Sequence, residues 1–141
     1  MDIKQVIVMR KDLRNLKGEK VRTGKLIGQG AHASMAIFFK LIDPDKEGPI
    51  KETFNDCEYI IKIPHDMDIW RKDIFTKVVL AVNSNEELLD IYNKANEANL
   101  PTVLITDSGQ TEFLGPTNTC IAIGPAKIDK INPITSHLST F

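Results

Sequence analysis

The stretch TKVVLAVNSNEELLDIYNKANEANLPTVLITD, residues 76–107, decides the fold class. It begins and ends in short, β-branched apolar runs, 76–82 and 101–107, which are typical of buried strands. Ser84 and Glu87 between them form a capping box, which predicts the start of a helix. Three apolar residues then recur at helical spacing and mark the face that packs on the core: Leu88, Ile91 and Ala95. A strand, a helix and a second strand in succession indicate an α/β domain with a partly parallel sheet.

Two further strands and two further helices are expected around this unit. The strands are predicted at 4–10 and 120–125, and the helices at 24–41 and 126–138. Pro133 should break or start the second helix, because proline lacks the backbone N–H that a helix interior needs. No helix is evident between the last two strands, which can therefore pair antiparallel. We expect one domain, 1–141, with a three-layer α/β/α fold: a mixed four-stranded sheet with helices on both faces.

The segment 43–68 interrupts this alternation. It is acidic and contains three prolines, so we predict an irregular insertion with at most a short strand at 58–63. His65, Asp66 and Asp68 lie within it. A proline-broken acidic loop is a poor framework for metal ligands, and we expect no metal site there.

Composition narrows the functional classes. Hydrophobic residues make up 42% of the chain and charged residues 26%, which is ordinary for a globular protein. No apolar run approaches the ~20 residues of a membrane helix, and no signal-peptide pattern opens the chain. Cys57 and Cys120 are too few for a disulfide scaffold or a cysteine zinc site. We therefore expect a reduced, cytoplasmic protein without a membrane partner.

Positive charge is concentrated at the beginning of the chain. The net charge is −1, yet residues 1–25 contain eight Lys or Arg against three acids. Local density of Lys and Arg, more than net charge, governs contact with phosphates. The region is therefore either a phosphate-binding surface or a lysine-rich loop that only keeps the protein in solution.

The predicted helix GKLIGQGAHASMAIFFK, residues 24–40, carries polar groups that packing does not require. Lys25, Gln29 and His32 are spaced by four and three residues, which gathers them on one edge of the helix. Gly28 and Gly30 each cost the helix about 1 kcal/mol relative to alanine. Lys25 in the first turn opposes the helix dipole, which favours a role in anion binding. His32 is equally compatible with a core histidine that makes one hydrogen bond.

A second polar cluster follows the strand at 101–107. Asp107 ends that strand and opens the loop DSGQTEF, residues 107–113. Site residues in open α/β sheets commonly lie at such strand ends. The alternative is an Asx turn that only satisfies its own backbone. Neither a GxSxG elbow nor a phosphate loop of the GxxxxGK[ST] type is present, which argues against those two chemistries.

Together these segments resemble the type II peptidyl-tRNA hydrolases. The resemblance rests on the order of KQVIVMRKDL, GKLIGQGAHAS, the loop DSGQTEF and the later strand TNTCIAIGP. It implies a mixed four-stranded sheet between helices. It also implies hydrolysis of the ester that joins a peptide to the 3′ end of tRNA, which recycles tRNA from aborted translation. No cofactor is implied.

The resemblance also implies which residues form the site. They are Lys25, His32, Asp107 and Thr111, with Gln29 on the same edge of the helix. Either Asp107 or His32 would orient or deprotonate water, and the sequence leaves that choice open. Lys25 would neutralise the developing oxyanion or a phosphate near the tRNA end, and Thr111 would donate or relay a hydrogen bond.

Contacts with the acceptor stem and 3′ end of tRNA are expected from the basic loop and from the loop after Asp107. The basic residues concerned are Arg10, Lys11, Arg14, Lys17, Lys20 and Arg22, which would follow phosphates independently of sequence. Gln110 and Thr117 complete the binding set.

This chain diverges from the family pattern in four places. The helix has IGQ, 27–29, where AAQ is typical, and the acidic segment 43–68 is longer than the family's connector. Gln110 stands where an arginine is usual, and the family's P-G-T/S element is GPT here, 115–117. A non-catalytic relative that binds tRNA, a nucleotide or a protein partner is the alternative function. The sequence does not determine whether the chain forms a homodimer.

Overall fold

The computed structural model describes residues 2–42 and 48–141, in which helices and strands alternate as a mixed α/β fold. Residues 43–47, the start of the predicted insertion, lie outside the described part. The strands are β1 (Ile3–Arg10), β2 (Lys51–Glu52), β3 (Cys57–Glu58), β4 (Lys77–Val82), β5 (Thr102–Asp107), β6 (Thr117–Lys127) and β7 (Ser139–Thr140). The helices are α1 (Thr23–Ile42), α2 (His65–Lys72), α3 (Asn85–Glu97) and α4 (Ile128–Thr135).

The main sheet has five strands in the order β5-β6-β1-β4-β7. β1 pairs in parallel with β4, and it pairs antiparallel with β6 on its other side. β5 and β6 form the antiparallel pair that the short connection between them predicts, with Asp107 opposite Thr117. The sheet is therefore mixed, and the end of β5 lies beside the start of β6.

Side chains of β1 contact two separate apolar clusters. Val6 and Val8 pack with residues of α3 and α4, whereas Ile7 and Met9 pack with residues of α1 and α2. Successive side chains of a strand point to opposite faces of the sheet. Helices α1 and α2 therefore contact one set of β1 side chains, and α3 and α4 contact the other. No helix in the described part of the chain combines the length and apolar character of a membrane span.

The predicted strand count is corrected from four to five. Ser139 and Thr140 pair antiparallel with Ala81 and Leu80 at the edge of β4. Two polar residues in succession do not show the alternating pattern that predicts a strand. They become one because the unpaired edge of β4 offers backbone groups for them to hydrogen-bond.

Pro133 neither breaks nor starts α4, contrary to the prediction, because the helix runs through it. Proline removes only one intrahelical N–H, and the helix is held by its buried face. Ile131 and Ile134 on that face pack into the core shared with α3.

The region around the predicted insertion contains more regular structure than its composition suggests. The prediction of an irregular segment through residue 68 is wrong, because α2 begins at His65 directly after Pro64. Met67 and Trp70, three residues apart, are buried and hold this helix on the domain. The strand predicted at 58–63 is also wrong, since β3 covers only Cys57–Glu58 and pairs with β2.

Candidate active site

An ion pair between α1 and the end of β5 forms the centre of the site. Lys25 lies in the first turn of α1, and its Nζ donates to Oδ2 of Asp107 at 2.7 Å. The two side chains are only 19% and 11% exposed, so water screens the pair weakly. Residues 82 positions apart are thus joined by the packing of α1 beside β5 and β6.

Asp107 also organises the loop that follows it. Its Oδ1 accepts the backbone N–H of Gly109 at 2.9 Å, which forms an Asx turn. Gly109 has φ +81°, and a Cβ there would collide with the backbone of Gly115. Only glycine can occupy this position. The carboxylate therefore satisfies its own turn through one oxygen and contacts α1 through the other.

Gln29 links Asp107 to the interior of the sheet. Its Nε2 donates to Oδ2 of Asp107 at 3.2 Å, and its Oε1 accepts from the hydroxyl of Thr119 at 2.6 Å. Thr119 is fully buried on β6. An ionised carboxylate only accepts hydrogen bonds, so Asp107 takes the amide nitrogen, and the amide oxygen is left for the Thr119 hydroxyl, which holds Gln29 in place. Thr119 was not among the residues predicted for the site, although a polar residue among the apolar residues of a buried strand can indicate one.

The environment lowers the pKa of Asp107 below its ordinary value of 3.8. The hydrogen bond from Lys25 is the largest cause, burial acts in the opposite direction, and the Gly109 and Gln29 donors lower the pKa further. The carboxylate is therefore ionised at neutral pH.

Thr111 joins the cluster from the loop. Its Oγ1 accepts a second hydrogen bond from Lys25 Nζ, at 3.2 Å, and the residue is exposed. The ring of Phe113 lies 5.8 Å from the same ammonium and is buried. The ammonium thus has a carboxylate, a hydroxyl and an aromatic ring around it, and the Thr111 hydroxyl retains its own proton to donate.

His32 stays outside this hydrogen-bonded cluster. It lies on α1 one turn after Gln29 and is exposed. Within residues 2–42 and 48–141 it makes no hydrogen bond or ion pair with Lys25 or Asp107. The structure therefore brings together three of the four predicted catalytic residues, Lys25, Asp107 and Thr111, with Gln29.

Glu112 is a second residue to which the sequence analysis assigned no role. Its Oε1 accepts from both Nε and Nη2 of Arg22, at 2.9 and 2.7 Å. The carboxylate is buried, and its Oε2 has no hydrogen-bond partner among the described residues. The pair ties the loop of Thr111 to the residue that precedes α1.

The predicted tRNA-binding cations differ in their availability. Arg10 is occupied by Asp12 and by the carbonyl of Asn118, and Arg22 is occupied by Glu112. The other four are exposed and, in the described ranges, have no acidic partner: Lys11, Arg14, Lys17 and Lys20.

The loop that carries these cations is ordered. Arg14 pairs with Lys20 in an antiparallel bridge, and Asn15 Oδ1 accepts the N–H groups of Lys17 and Glu19. A cleft of about 410 Å³ lies against this loop, lined by Arg10, Lys11, Arg14 and Lys20 with the start of α1. The cations are thus presented next to the helix that carries Lys25.

The remaining predicted contacts lie at the rim of the site. Gln110 is exposed and makes no hydrogen bond within the described residues. Thr117 is half-buried opposite Asp107, and its hydroxyl donates to the carbonyl of Gly115 at 2.8 Å.

The residues considered as metal ligands have other roles or no partner. Asp68 forms ion pairs with Arg71 and Lys72 on α2. Across the described ranges, no three His, Cys, Asp or Glu side chains come together in the manner of a metal site.

The sequence of this chain is similar to those of known proteins. The family model "Peptidyl-tRNA hydrolase PTH2" matches residues 3–141. A peptidyl-tRNA hydrolase of Methanocaldococcus jannaschii is 40% identical over 136 residues, which cover 96% of this chain and 97% of the relative. One of Nanoarchaeum equitans is 37% identical over 139 residues, which cover 99% of each chain. Because the match includes α1, the loop after β5 and the basic loop, the chain belongs to the peptidyl-tRNA hydrolase PTH2 family.

Proposed function

We propose that this protein hydrolyses the ester between a peptide and the 3′ end of tRNA, with Lys25, Asp107 and Thr111 as its catalytic residues. One observation carries the assignment of these residues. A largely buried carboxylate and ammonium, 2.7 Å apart, meet an exposed hydroxyl at the start of α1, a helix whose Thr23 and Leu26 also line the basic cleft. Such a group can orient water and stabilise negative charge at the point where RNA phosphates would be held.

In this proposal Asp107 acts on the attacking water. Within the described residues its Oδ1 accepts one hydrogen bond, from the Gly109 N–H, so a lone pair remains for a water proton. As the water oxygen attacks the ester carbonyl carbon, that proton passes to Asp107. A carboxylate with a lowered pKa is a weak base, but an aminoacyl ester is already activated, so orientation supplies much of the effect.

Lys25 and Thr111 then stabilise the tetrahedral intermediate. The negative charge that develops on the carbonyl oxygen would be met by the Lys25 ammonium and by the proton of the Thr111 hydroxyl. When the intermediate collapses, the bond to the ribose oxygen breaks. That oxygen takes the proton held by Asp107 and leaves as the free hydroxyl of tRNA, while the peptide leaves as a carboxylic acid.

Recognition of the acceptor stem is assigned to the exposed cations of the basic loop. Lys11, Arg14, Lys17 and Lys20 form no ion pairs among the described residues and can contact phosphates without disrupting the fold. Such contacts are independent of sequence, as a substrate class that includes many tRNAs requires. Gln110 and Thr117 border the site where the 3′ end would lie. This function would place the protein in the cytoplasm, where translation releases peptidyl-tRNA.

Asp107, and not His32, is proposed as the residue that orients and deprotonates the attacking water. Asp107 hydrogen-bonds to Lys25 and Gln29, whereas His32 is exposed and forms no hydrogen bond to either within the described residues. A base must come within hydrogen-bonding reach of the water that it activates. His32 on the next turn of α1 is better placed to contact the peptide or the RNA at the rim.

The test is release of peptide from N-blocked aminoacyl-tRNA by the purified protein, with EDTA present throughout. We expect release that persists in EDTA, falls by about 10²–10⁴-fold in Asp107→Ala, and falls less than about fivefold in His32→Ala. Asp129→Ala, which removes an exposed carboxylate from α4, is the matched control and should keep full activity. Loss of activity in EDTA, or a collapse in His32→Ala alone, would contradict the assignment.

A non-catalytic binding role is the second candidate. The observation in its favour is that Asp107 already neutralises Lys25, which leaves no free ammonium in the unliganded site. Salt-sensitive tRNA binding without any release of peptide would support this role.

The homodimer remains a prediction. Ile27, Met35 and Val79 are exposed around an apolar cleft of about 600 Å³ between α1 and β4, a surface of the kind that marks interfaces. Sedimentation velocity at several protein concentrations would detect the dimer, and a monomer throughout would contradict the prediction.

A further inference from the structure

A crevice separate from the catalytic group lies at the carboxyl ends of β1 and β4. The two strands are parallel neighbours, and the N–H of Lys11 donates to the carbonyl of Val82 just beyond them. The next helix after β1 is α1, which packs with Ile7 and Met9. The next helix after β4 is α3, which packs with the opposite side chains of β1. Open α/β sheets bind ligands where neighbouring strands lead to opposite faces in this way.

The crevice has the size and lining of a site for one nucleotide. Its volume is about 390 Å³, within the range of small-molecule pockets. Ile91 and Leu138 provide apolar surface, and Val82 lies between them at the strand end. Polar side chains surround this floor: Lys11, Asn83, Glu87, Asp90, His137 and Ser139.

Lys11 connects the crevice to the basic cleft. It lines both cavities, and the basic cleft adds Arg14 and Lys20 on the side toward α1. A phosphate held by Lys11 could therefore belong to a strand that continues along the basic cleft, while the nucleoside attached to it enters the crevice. This continuity favours a ligand that is part of an RNA chain.

The carboxylates of Glu87 and Asp90 indicate which group of the ligand the crevice would bind. Glu87 Oε2 accepts the N–H of Asn83 at 3.0 Å, and Asp90 Oδ2 pairs with Lys94 at 2.9 Å. The second oxygen of each carboxylate makes no hydrogen bond within the described residues. An ionised carboxylate only accepts hydrogen bonds and repels phosphate, so beside an RNA backbone its useful partner is a sugar hydroxyl.

We propose that this crevice binds one ribonucleotide of the substrate RNA and that Asp90 accepts a hydrogen bond from its 2′-hydroxyl. The inference rests on the proposed function and adds a means of distinguishing RNA from DNA. The 2′-hydroxyl is the group by which a protein makes that distinction. Lys11 holds the adjoining phosphate, and His137 borders the base beside Leu138.

The experiment compares an acceptor-stem hairpin made of RNA with the same hairpin made of DNA, each labelled for fluorescence anisotropy. The wild type should bind the RNA about tenfold more tightly, the value of one charge-assisted hydrogen bond. Asp90→Ala should abolish this preference. Asp129→Ala, a matched loss of an exposed aspartate outside the crevice, should retain it. Removing either acid can strengthen binding to both nucleic acids, so the ratio is the decisive quantity.

A series of RNA hairpins, each with one 2′-deoxy substitution, locates the contact. One position should account for the preference in the wild type, and that position should have no effect in Asp90→Ala. Equal binding of RNA and DNA by the wild type, no binding of either, or an unchanged ratio in Asp90→Ala would overturn the inference. Release of peptide by the wild type, measured in parallel, shows whether the proposed function stands when this inference fails.

Discussion

Replacement of Lys25 by methionine separates the electrostatic role of the ammonium from its packing. The substitution keeps an unbranched side chain of similar length in the first turn of α1 and removes the charge 2.7 Å from Asp107. Two consequences follow, one for the titration of Asp107 and one for the transition state. Lys40→Met on the same helix is the matched control, because among the described residues Lys40 donates to the carbonyl of Thr102 and not to a site residue.

The first consequence is a change in the pH dependence of activity. Lys25 is the largest cause of the lowered pKa of Asp107, and burial opposes it. Without Lys25, the Gly109 and Gln29 donors still lower the pKa of Asp107, but the effect of burial is opposed less. The pKa of Asp107 therefore rises relative to the wild type. The acid limb of kcat/KM should therefore move to higher pH in Lys25→Met and stay in place in Lys40→Met.

The second consequence is a loss of rate. A positive group aimed at a developing oxyanion typically contributes about 10²–10³-fold, so kcat should fall by about that factor while KM changes little. The assay is release of peptide from N-blocked aminoacyl-tRNA over a range of pH. An acid limb that does not move, or a kcat within about threefold of the wild type, would refute the proposed role of Lys25.

Stability supplies an independent check on the same pair. Opposite charges about 4 Å apart near a protein surface attract by about 4 kcal/mol, and desolvation offsets most of this. We expect Lys25→Met to lose about 1–2 kcal/mol in the free energy of unfolding at neutral pH. Because the folded pKa of Asp107 is lowered, its stabilisation is complete above the ordinary carboxyl pKa of 3.8 and is lost as pH falls through the folded value. The difference between wild type and variant in urea unfolding should therefore shrink in acid.

Three further predictions concern Thr119, the Arg22–Glu112 ion pair and Lys20 of the basic loop. Thr119→Val removes the hydroxyl that holds the site glutamine in place and should lower kcat about tenfold, whereas Thr119→Ser should retain activity. Arg22→Ala leaves the buried Glu112 carboxylate without its ion pair and should cost about 2 kcal/mol in urea unfolding, part of which Glu112→Gln restores in the double variant. Lys20→Ala should reduce the slope of log Kd for tRNA against log salt by about 0.7–0.9, while Lys130→Ala, which removes an exposed cation from α4, should leave the slope unchanged.

The local pattern of the sequence determined most of the secondary structure. Ser84 caps α3 by accepting the N–H of Glu87 at 3.1 Å, as the capping box predicts, and Leu88, Ile91 and Ala95 are buried. Such features depend on residues three or four positions apart, so periodicity is enough to find them. The same periodicity correctly gathered Lys25 and Gln29 on one edge of α1.

Elements that depend on a distant partner were missed. β7 exists because Ser139 and Thr140 meet the open edge of β4, and α4 continues through Pro133 because its buried face is held by the core. Neither cause lies within the segment itself. Short polar strands and proline-containing helices are therefore decided by tertiary contacts, which outweigh local propensity.

The features of the site divide in the same way, into those visible in the sequence and those decided by tertiary contacts. Helical spacing made Lys25 and Gln29 candidates, and the strand end made Asp107 one, whereas Thr111 was implied by the resemblance to the family. The sequence could not distinguish His32, one turn further on the same edge of α1, from a residue inside the cluster. Only the packing of α1 against β5 and β6 puts Lys25 within 2.7 Å of Asp107 and Thr119 within 2.6 Å of Gln29. Hydrogen bonds between residues 82 and 90 positions apart require coordinates in three dimensions, because no local pattern encodes the distance between them.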